Sequence, residues 1–290
     1  MSAEAVNDPG WRVLHPTDFS EASEIAFLHA LKLTLVAQGQ LHVLHVSHHD
    51  GDVGWGNFPG VREALERWRV LPPGSPPHAV GDLGIEVEKV EAAGDDPVLA
   101  THDFLQRHPA DMIVLATHQR DGFARWREPS VAERIAREAR QVSLFVPHGT
   151  GGFVDAATGG IRLRRVLIPI DRIPDPQPAL EAAAWLASLA SQAQVEFQMV
   201  HVGEAEFPAA VSREKPGWTW ARRILTGEPA TALVQAIEEF DPDLVVMATA
   251  GHDGFMDELR GSTTERVLRA IRCPLLAVSI AARLPRLGWH

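Results

Sequence analysis

The chain contains two copies of one sequence pattern, and this internal repeat constrains the fold more than any other feature. The segment DMIVLATHQRDGF, residues 111–123, aligns without gaps on DLVVMATAGHDGF, residues 243–255, and seven of the thirteen positions are identical. The similarity continues from SVAERIAREAR at Ser130 to STTERVLRAIR at Ser262, and upstream VLHPTD at Val13 corresponds to VLIPID at Val166. Because the blocks occur twice in the same order, we predict two tandem domains, 1–148 and 161–283, joined by a glycine-rich linker.

Each copy alternates short apolar runs with longer amphipathic stretches, which is typical of parallel strands connected by crossover helices. Ser20 is the predicted cap of the first helix, and prolines 174, 176 and 178 predict a late start for the corresponding helix of the second copy. We therefore expect two α/β domains of the doubly wound class, each with a mainly parallel five-stranded sheet. The last strands, around Leu144 and Leu275, are expected to pair and make the domains a pseudo-dimer.

The first copy carries an insertion that the second lacks, at about residues 49–77. Its sequence predicts one short helix near residues 60–68, followed by a proline-rich segment. Two roles remain open for it from the sequence, a lid over a site and packing against the other half.

Composition excludes several classes of function. Lys plus Arg number 27 against 38 Asp plus Glu, and a net charge of -11 without a concentrated basic patch argues against nucleic-acid binding. No apolar run approaches the roughly 20 residues that span a bilayer, so no membrane partner is expected. Cys273 is the only cysteine, which favours a reducing compartment such as the cytoplasm.

A glycine-rich loop in the second copy, GHDGFMDELRGSTTER at residues 251–266, follows a predicted strand and precedes a predicted helix. Glycines allow backbone amides to approach a ligand, and a helix start offers unpaired N–H groups, so this loop is a candidate phosphate site. A structural interpretation is also open, because Ser262 with Glu265, like Ser130 with Glu133, forms the pattern of a helix capping box.

Four features together resemble the universal stress protein family in its tandem form. They are PTDFSEAS after the first strand, LHVLHV in the second, the Asp-led strand DMIVLAT, and the Gly-x-x-Gly…Gly-Ser segment. The resemblance implies a flavodoxin-like (Rossmann-type) fold for each of the two domains. It also implies an adenine nucleotide such as ATP as ligand, with or without Mg²⁺, and a regulatory role in stress responses through protein partners that the sequence does not identify. The implied nucleotide-binding residues of the second copy are Ile170, Asp171, Val202, Ala248, Gly251, His252, Gly254, Gly261, Ser262 and Thr263.

Both copies depart from the family's glycine pattern, in which nine residues separate the second and third glycines. Only six residues lie between Gly254 and Gly261. In the first copy, Gln119 and Pro129 replace two of the glycines, and Glu128 adds a carboxylate, so this loop predicts the poorer anion site. The residues of this degenerate site that still match the family's pattern are Asp18, Val46, Gly122 and Ser130.

The sequence leaves three functions open: a nucleotide-binding regulator, a dimerising interaction scaffold without nucleotide, and a slow ATPase. The regulator is favoured because no catalytic set and no Gly-Lys-Ser or Gly-Lys-Thr step is present. The histidines at 15, 45, 48 and 49, with Asp50, suit a transition metal by residue type, but placement within strands explains His45, and no metal is expected. A homodimer of the whole chain also remains open.

Overall fold

The computed structural model describes residues 10–47, 55–117, 130–138, 141–150, 152–190, 194–204, 206–249 and 263–280. Ten strands form one sheet: β1 Arg12–Thr17, β2 Gln40–Ser47, β3 Glu86–Ala93, β4 Met112–Thr117, β5 Val142–Pro147, β6 Arg165–Pro169, β7 Val195–Val202, β8 Trp218–Leu225, β9 Leu244–Thr249 and β10 Leu275–Ser279. The helices in these ranges are α1 Glu21–Ala37, α2 Val61–Arg67, α3 Pro97–Arg107, α4 Val131–Glu138, α5 Gln177–Ser188, α6 Pro229–Phe240 and α7 Thr263–Ala270. Two short 3₁₀ helices, Trp55–Asn57 and Pro77–Leu83, lie in the inserted region.

The sheet order is β3-β2-β1-β4-β5-β10-β9-β6-β7-β8. Each half thus has the strand order 3-2-1-4-5 of a doubly wound domain. The strands inside each half pair in parallel, as the alternation of apolar and amphipathic stretches predicts. The halves join where β5 and β10 pair antiparallel, with Leu144 opposite Leu276 and Phe145 opposite Leu275. This pairing covers the backbone groups that each last strand would otherwise expose at an edge.

Helices cover both faces of the sheet, and each face has a core that runs through both halves. Helices α1, α2 and α5 pack in one cluster, and α3, α4, α6 and α7 in the other. Alternate strand residues go to opposite faces, as the pleat requires, so Val13 belongs to the first cluster and Leu14 to the second. Trp11, just before β1, meets Trp185 of α5 edge-on, with ring centroids 5.2 Å apart, which joins the halves within the first cluster.

The repeat is visible in the polar contacts that begin and end these elements. Ser20 caps α1 by accepting the N–H of Ser23, as predicted. Asp111 at the start of β4 accepts the backbone N–H of Arg12, and its counterpart Asp243 accepts that of Arg165, each at 2.9 Å. One carboxylate therefore fixes the entry of the first strand in each copy. Helix α5 begins at Gln177, the late start that the prolines predict.

The segment between the halves is packed, although its glycines predict only a linker. Phe153, Val154, Ile161 and Leu163 are buried in the first core cluster, and Val154 pairs with Ile161 in an isolated antiparallel bridge. Two long-range contacts hold the segment in place. The backbone N–H groups of Phe153 and Val154 both donate to Nε2 of His29 in α1, at 3.0 and 3.2 Å.

The second contact comes from the insertion, whose short helix is present as α2. Trp68, at the end of α2, is buried and donates its indole N–H to the Ala156 carbonyl at 3.1 Å. This part of the insertion thus packs against the connecting segment. Residues 48–54 lie outside the described residues, so the lid interpretation stays a prediction for them.

Candidate functional site

In each half the carboxyl ends of the central strands lie side by side, which is where a doubly wound sheet has its ligand crevice. In a doubly wound sheet this crevice opens at the switch point of the strand order, which lies between β1 and β4 in the first half and between β6 and β9 in the second. We refer to these two positions as the N-terminal crevice and the C-terminal crevice.

In the C-terminal crevice the structure gathers the described members of the predicted site. Ile170 and Asp171 follow β6, Val202 ends β7, Ala248 lies near the end of β9, and Thr263 begins α7. Ile170 is buried, whereas the side chain of Asp171 is 65% exposed and so faces solvent at the mouth. The remaining predicted residues, Gly251, His252, Gly254, Gly261 and Ser262, lie outside the described residues.

In each half, a histidine of the second strand donates a hydrogen bond to a carbonyl at the end of the first strand. The ring N–H at Nδ1 of His201 in β7 donates to the Ile170 carbonyl at 3.1 Å, and that of His45 in β2 donates to the Thr17 carbonyl at 2.8 Å. Asp171 Oδ1 lies 3.9 Å from His201 Nδ1. These contacts hold the second strand against the end of the first, which supports the structural placement predicted for His45.

The aspartates at the two mouths have different partners. Oδ1 of Asp18 accepts both the N–H and the O–H of Ser20, at 3.0 and 2.6 Å. Oδ1 of Asp171 accepts the N–H of Arg172 at 2.7 Å. The hydroxyl contact of Asp18 arises because the first copy has a capping serine where the second copy has the sequence IPDP. Asp18 is thus part of the cap of α1.

Ion pairs tie the helices beside the crevices together in the same way in each half. Arg134 of α4 pairs with Asp96, the cap of α3, at 2.9 Å, and Arg266 of α7 pairs with Glu228, the cap of α6, at 2.5 Å. Hydrogen bonds from Thr231, from backbone N–H groups and from Arg266 hold the pKa of Glu228 at about 2. Matching arginines of α4 and α7 therefore hold the caps of α3 and α6.

The N-terminal crevice contains a cavity of about 470 Å³. Asp18, Val46 and Ser130 line it, together with Thr17, Ser23 and Thr101, which sequence reasoning missed. Comparison of the two copies distinguishes two of these residues, because Thr17 and Thr101 are polar where the second copy has the apolar Ile170 and Leu233. Gly122, the other residue predicted here, lies outside the described residues.

A buried hydroxyl network lies beside this cavity. His15 Nδ1–H donates to the Val114 carbonyl at 2.9 Å, so Nε2 is left as an acceptor, 3.3 Å from Ser23 Oγ. Ser23 Oγ also lies 2.9 Å from Thr17 Oγ1, and its single hydroxyl proton donates to one of these two acceptors at a time. Burial lowers the pKa of His15 to about 4, so the imidazole is neutral at physiological pH. Sequence reasoning considered His15 only as a metal ligand.

Within the ranges that the structure describes, no group of three or more His, Cys, Asp or Glu side chains is arranged to hold a metal ion. Cys273 is largely buried at the entry to β10, and desolvation raises the pKa of its thiol to about 12. A thiol with such a pKa is a weak nucleophile. The same part of the chain holds no helix with the length and apolar character needed to cross a membrane.

Residues 11–147 and 219–279 match the sequence model of the universal stress protein family. The chain belongs to the universal stress protein family. The two matched segments fall in the two halves, which agrees with the tandem repeat.

Two curated relatives each match 40% of this chain. Universal stress protein MJ0531 of Methanocaldococcus jannaschii is 28% identical over 141 residues, covering 40% of this chain and 81% of the relative. Universal stress protein A homolog 1 of Coxiella burnetii is 27% identical over 141 residues, covering 40% of this chain and 95% of the relative.

Solved structures extend the likeness of fold to nearly the whole chain. A universal stress protein from Archaeoglobus fulgidus aligns with 92% of this chain and 96% of its own, at 22% identity and a TM-score of 0.59. PA1789 of Pseudomonas aeruginosa, a protein of unknown function, aligns with 93% and 92% at 14% identity and a TM-score of 0.60. At these identities the alignments support the α/β fold and nothing finer.

Proposed function

We propose that this universal stress protein binds an adenine nucleotide in its C-terminal crevice and that occupancy of the site regulates contacts with partner proteins. In this proposal the base and ribose of the nucleotide lie at the carboxyl ends of β6 and β7, beside Ile170, Asp171 and Val202. The phosphates would lie at the glycine loop and the start of α7, near Thr263. Family membership supports the class of ligand, and the second copy keeps the glycines that the first copy has lost.

The choice of the C-terminal crevice depends on the hydrogen bonds that the two matched aspartates, Asp171 and Asp18, already make. The Asp171 carboxylate is exposed at the mouth, beside the buried apolar side chain of Ile170. Such a carboxylate can accept a hydrogen bond from an amino group while the apolar neighbour contacts an aromatic ring. Its counterpart Asp18 is exposed as well, but Oδ1 of Asp18 accepts two hydrogen bonds from Ser20, the cap of α1, whereas Oδ1 of Asp171 accepts one, from Arg172.

The helix that follows the glycine loop favours an anion at its start. Helix α7 begins at Thr263, and its first N–H groups and its dipole attract negative charge. Arg266, one turn along, pairs with Glu228 and donates to Thr231 Oγ1 at 3.1 Å, which holds α7 against the start of α6. A nucleotide at this position would therefore contact a helix start fixed by neighbouring side chains.

Titration calorimetry with ATP and with AMP tests the proposal. The expected result is saturable heat for the wild-type chain and no heat for Gly261→Glu, which places a carboxylate and a Cβ in the glycine loop. Absence of saturable heat from wild type at millimolar nucleotide would overturn the proposal in favour of an interaction scaffold. Steady phosphate release by wild type above the rate of Gly261→Glu would instead make the protein a slow ATPase.

A further inference from the structure

The ten-stranded sheet ends in two edge strands, β3 and β8, each of which pairs with a neighbour on one side. Both strands are eight residues long, and neither contains a proline, which would remove a backbone donor from the edge. A long edge strand of this kind can pair with a strand of another chain. The two edges, at opposite ends of the sheet, are therefore candidate interaction surfaces.

Backbone hydrogen bonds to the inner neighbours identify the residues of each edge that face outward. The Glu86 N–H of β3 donates to the Gly39 carbonyl, and the Leu225 carbonyl of β8 accepts the Gly203 N–H. Successive residues of a strand direct their backbone groups to opposite sides, so the residues next to Glu86 and Leu225 face outward. Among the residues that the structure describes, no backbone hydrogen bond reaches these outer groups in β3 or in the segment 220–224 of β8. The outward-facing residues are 87, 89, 91 and 93 of β3 and 220, 222 and 224 of β8.

The two edge strands carry opposite charges. Strand β3 has three glutamates and one lysine, a formal charge of -2, whereas β8 has two arginines and no acidic residue, a formal charge of +2. The whole chain carries -11, so β8 is a basic strand in an acidic protein. Two copies of β3 side by side would repel each other, as would two copies of β8, whereas β3 and β8 attract.

Strand register shows that this difference in charge separates the two copies of the repeat. Glu91 of β3 corresponds to Ile224 of β8, because each lies beside the matching histidine of the neighbouring strand. On the same register the other two glutamates of β3 correspond to Thr219 and Ala221. All three carboxylates of one edge are thus replaced by uncharged residues at the other.

Arg222 is the cation that β8 offers at its outer side. Arg223 pairs with Glu239 at 2.7 Å, whereas the guanidinium of Arg222 lies over the Phe207 ring, 5.2 Å from its centroid. Arg222 is exposed, and no carboxylate of the described residues forms an ion pair with it. Glu91 is the carboxylate of β3 that belongs to the outward-facing set. These two residues are therefore the oppositely charged pair that an edge-to-edge contact brings together.

The directions of the strands suit such a contact. Pairing is parallel inside each half and antiparallel at the junction of the halves, so β3 and β8 run in opposite directions. A second copy in the same orientation beyond β8 offers its β3 antiparallel to that strand. Val87 and Trp220 pack against the first core cluster, which places Glu91 and Arg222 on the same face of the continued sheet. Side chains opposite each other on one face of an antiparallel pair interact directly.

From these observations we propose that the protein binds a second copy of itself edge to edge, with β8 of one copy paired antiparallel to β3 of the next. The contact joins two different surfaces, so it can repeat and extend the sheet from copy to copy. The switch points of both halves lie inside the strand order, away from the two edges. The contact is thus independent of the nucleotide proposed for the C-terminal crevice.

Sedimentation velocity of the full chain over a range of protein concentrations tests the proposal. The expected result for wild type is a weight-average mass that rises with concentration. Arg222→Glu and Glu91→Lys each place like charges across the contact, so each should weaken self-association at least roughly tenfold. A wild-type chain that stays monomeric up to about 1 mM would overturn the proposal.

An equimolar mixture of the two variants distinguishes a contact between unlike edges from one between like edges. Arg222→Glu keeps an unchanged β3 and Glu91→Lys keeps an unchanged β8, so the mixture contains both intact surfaces. The expected result is that mixed complexes form at concentrations where each variant alone is monomeric. Self-association that survives in either variant alone, or a mixture that stays monomeric, would overturn the proposal.

Arg164→Glu and Glu238→Lys are the matched controls. Both residues are exposed and lie outside the edge strands, and the two changes alter the net charge by the same amounts as the edge variants. Self-association should be unchanged in both, and its loss there would show that net charge, rather than the edges, governs association. Arg222→Gln and Glu91→Gln are the milder versions for use if a charge reversal lowers the melting temperature. They should weaken self-association in the same way, and unchanged self-association in both would contradict the assignment.

Discussion

Arg269 of the C-terminal half places Nη2 3.4 Å from Oε2 of Glu133 in the N-terminal half. Glu133 is nearly buried, and the same oxygen accepts the Ser130 N–H at 3.1 Å while Ser130 Oγ accepts the Glu133 N–H at 3.2 Å. One carboxylate thus completes the cap of α4 and holds α7 of the other half beside it. Ser130 also lines the N-terminal cavity.

We expect Glu133→Ala to lower the free energy of unfolding by about 1–2 kcal/mol, because both the cap and the pair across the halves are lost. Arg269→Gln should cost about 1 kcal/mol, since it leaves a nearly buried carboxylate with fewer partners. Urea unfolding of the two single variants and the double variant gives their coupling energy. Strict additivity of the two effects would show that the pair contributes nothing. Arg134→Gln, which breaks a more exposed pair within one half, is the control and should cost less than about 1 kcal/mol.

Acid should destabilise the protein through the fully buried histidines His15 and His29. Burial lowers the pKa of both His15 and His29 from 6.5 to about 4, so the unfolded chain binds protons that the folded chain does not. The contribution of each neutral ring is complete above about pH 6.5 and is lost as pH falls toward 4, at up to about 1.4 kcal/mol per pH unit.

Urea unfolding between pH 7.5 and 4.5 measures this dependence, and His29→Gln should reduce its slope. The chosen range stays above the ordinary pKa of the carboxylates, which dominate at lower pH. A free energy of unfolding that is constant over this range would show that the rings are protonated without cost in the folded chain.

Two glycines of the connecting segment should respond differently to alanine. Gly159 has a φ of +65°, and a Cβ there would lie 2.4 Å from the Trp68 ring. Gly149 also has a positive φ, +83°, but a Cβ would meet nothing within 4 Å. Gly159→Ala is therefore expected to cost more than about 2 kcal/mol, from strain and displaced packing, and Gly149→Ala about 1 kcal/mol from strain alone. Thermal unfolding compares the two, and equal costs would show that Trp68 does not pack on the connecting segment as described.

The repeat explains why so much of the fold follows from the sequence. Two aligned copies predict the same elements twice, and the strands around Leu144 and Leu275 are recognisable as edges because they end each copy. The burial of Phe153 and Val154 has no comparable signal, since these residues stand in a short glycine-flanked segment with no period of its own. His29, which binds that segment, lies within an apolar helix and makes a contact 124 residues away.

The residues of the candidate sites were likewise predictable from the sequence only in part. Asp18 and Asp171 follow predicted strands, so their position at the crevices was predictable from chain order. The hydroxyl lining was not, because Thr17, Ser23 and Thr101 come from separate elements and meet only in the fold. The ion pair between Arg269 and Glu133 also depends on the antiparallel junction of the halves, which brings α7 beside α4.

The most direct test of the central claim compares the two matched aspartates by ATP titration of the full chain. The account predicts one ATP per chain for wild type, an affinity at least roughly tenfold weaker for Asp171→Asn, and an unchanged affinity for Asp18→Asn. Loss of ATP binding in Asp18→Asn with retention in Asp171→Asn would contradict it.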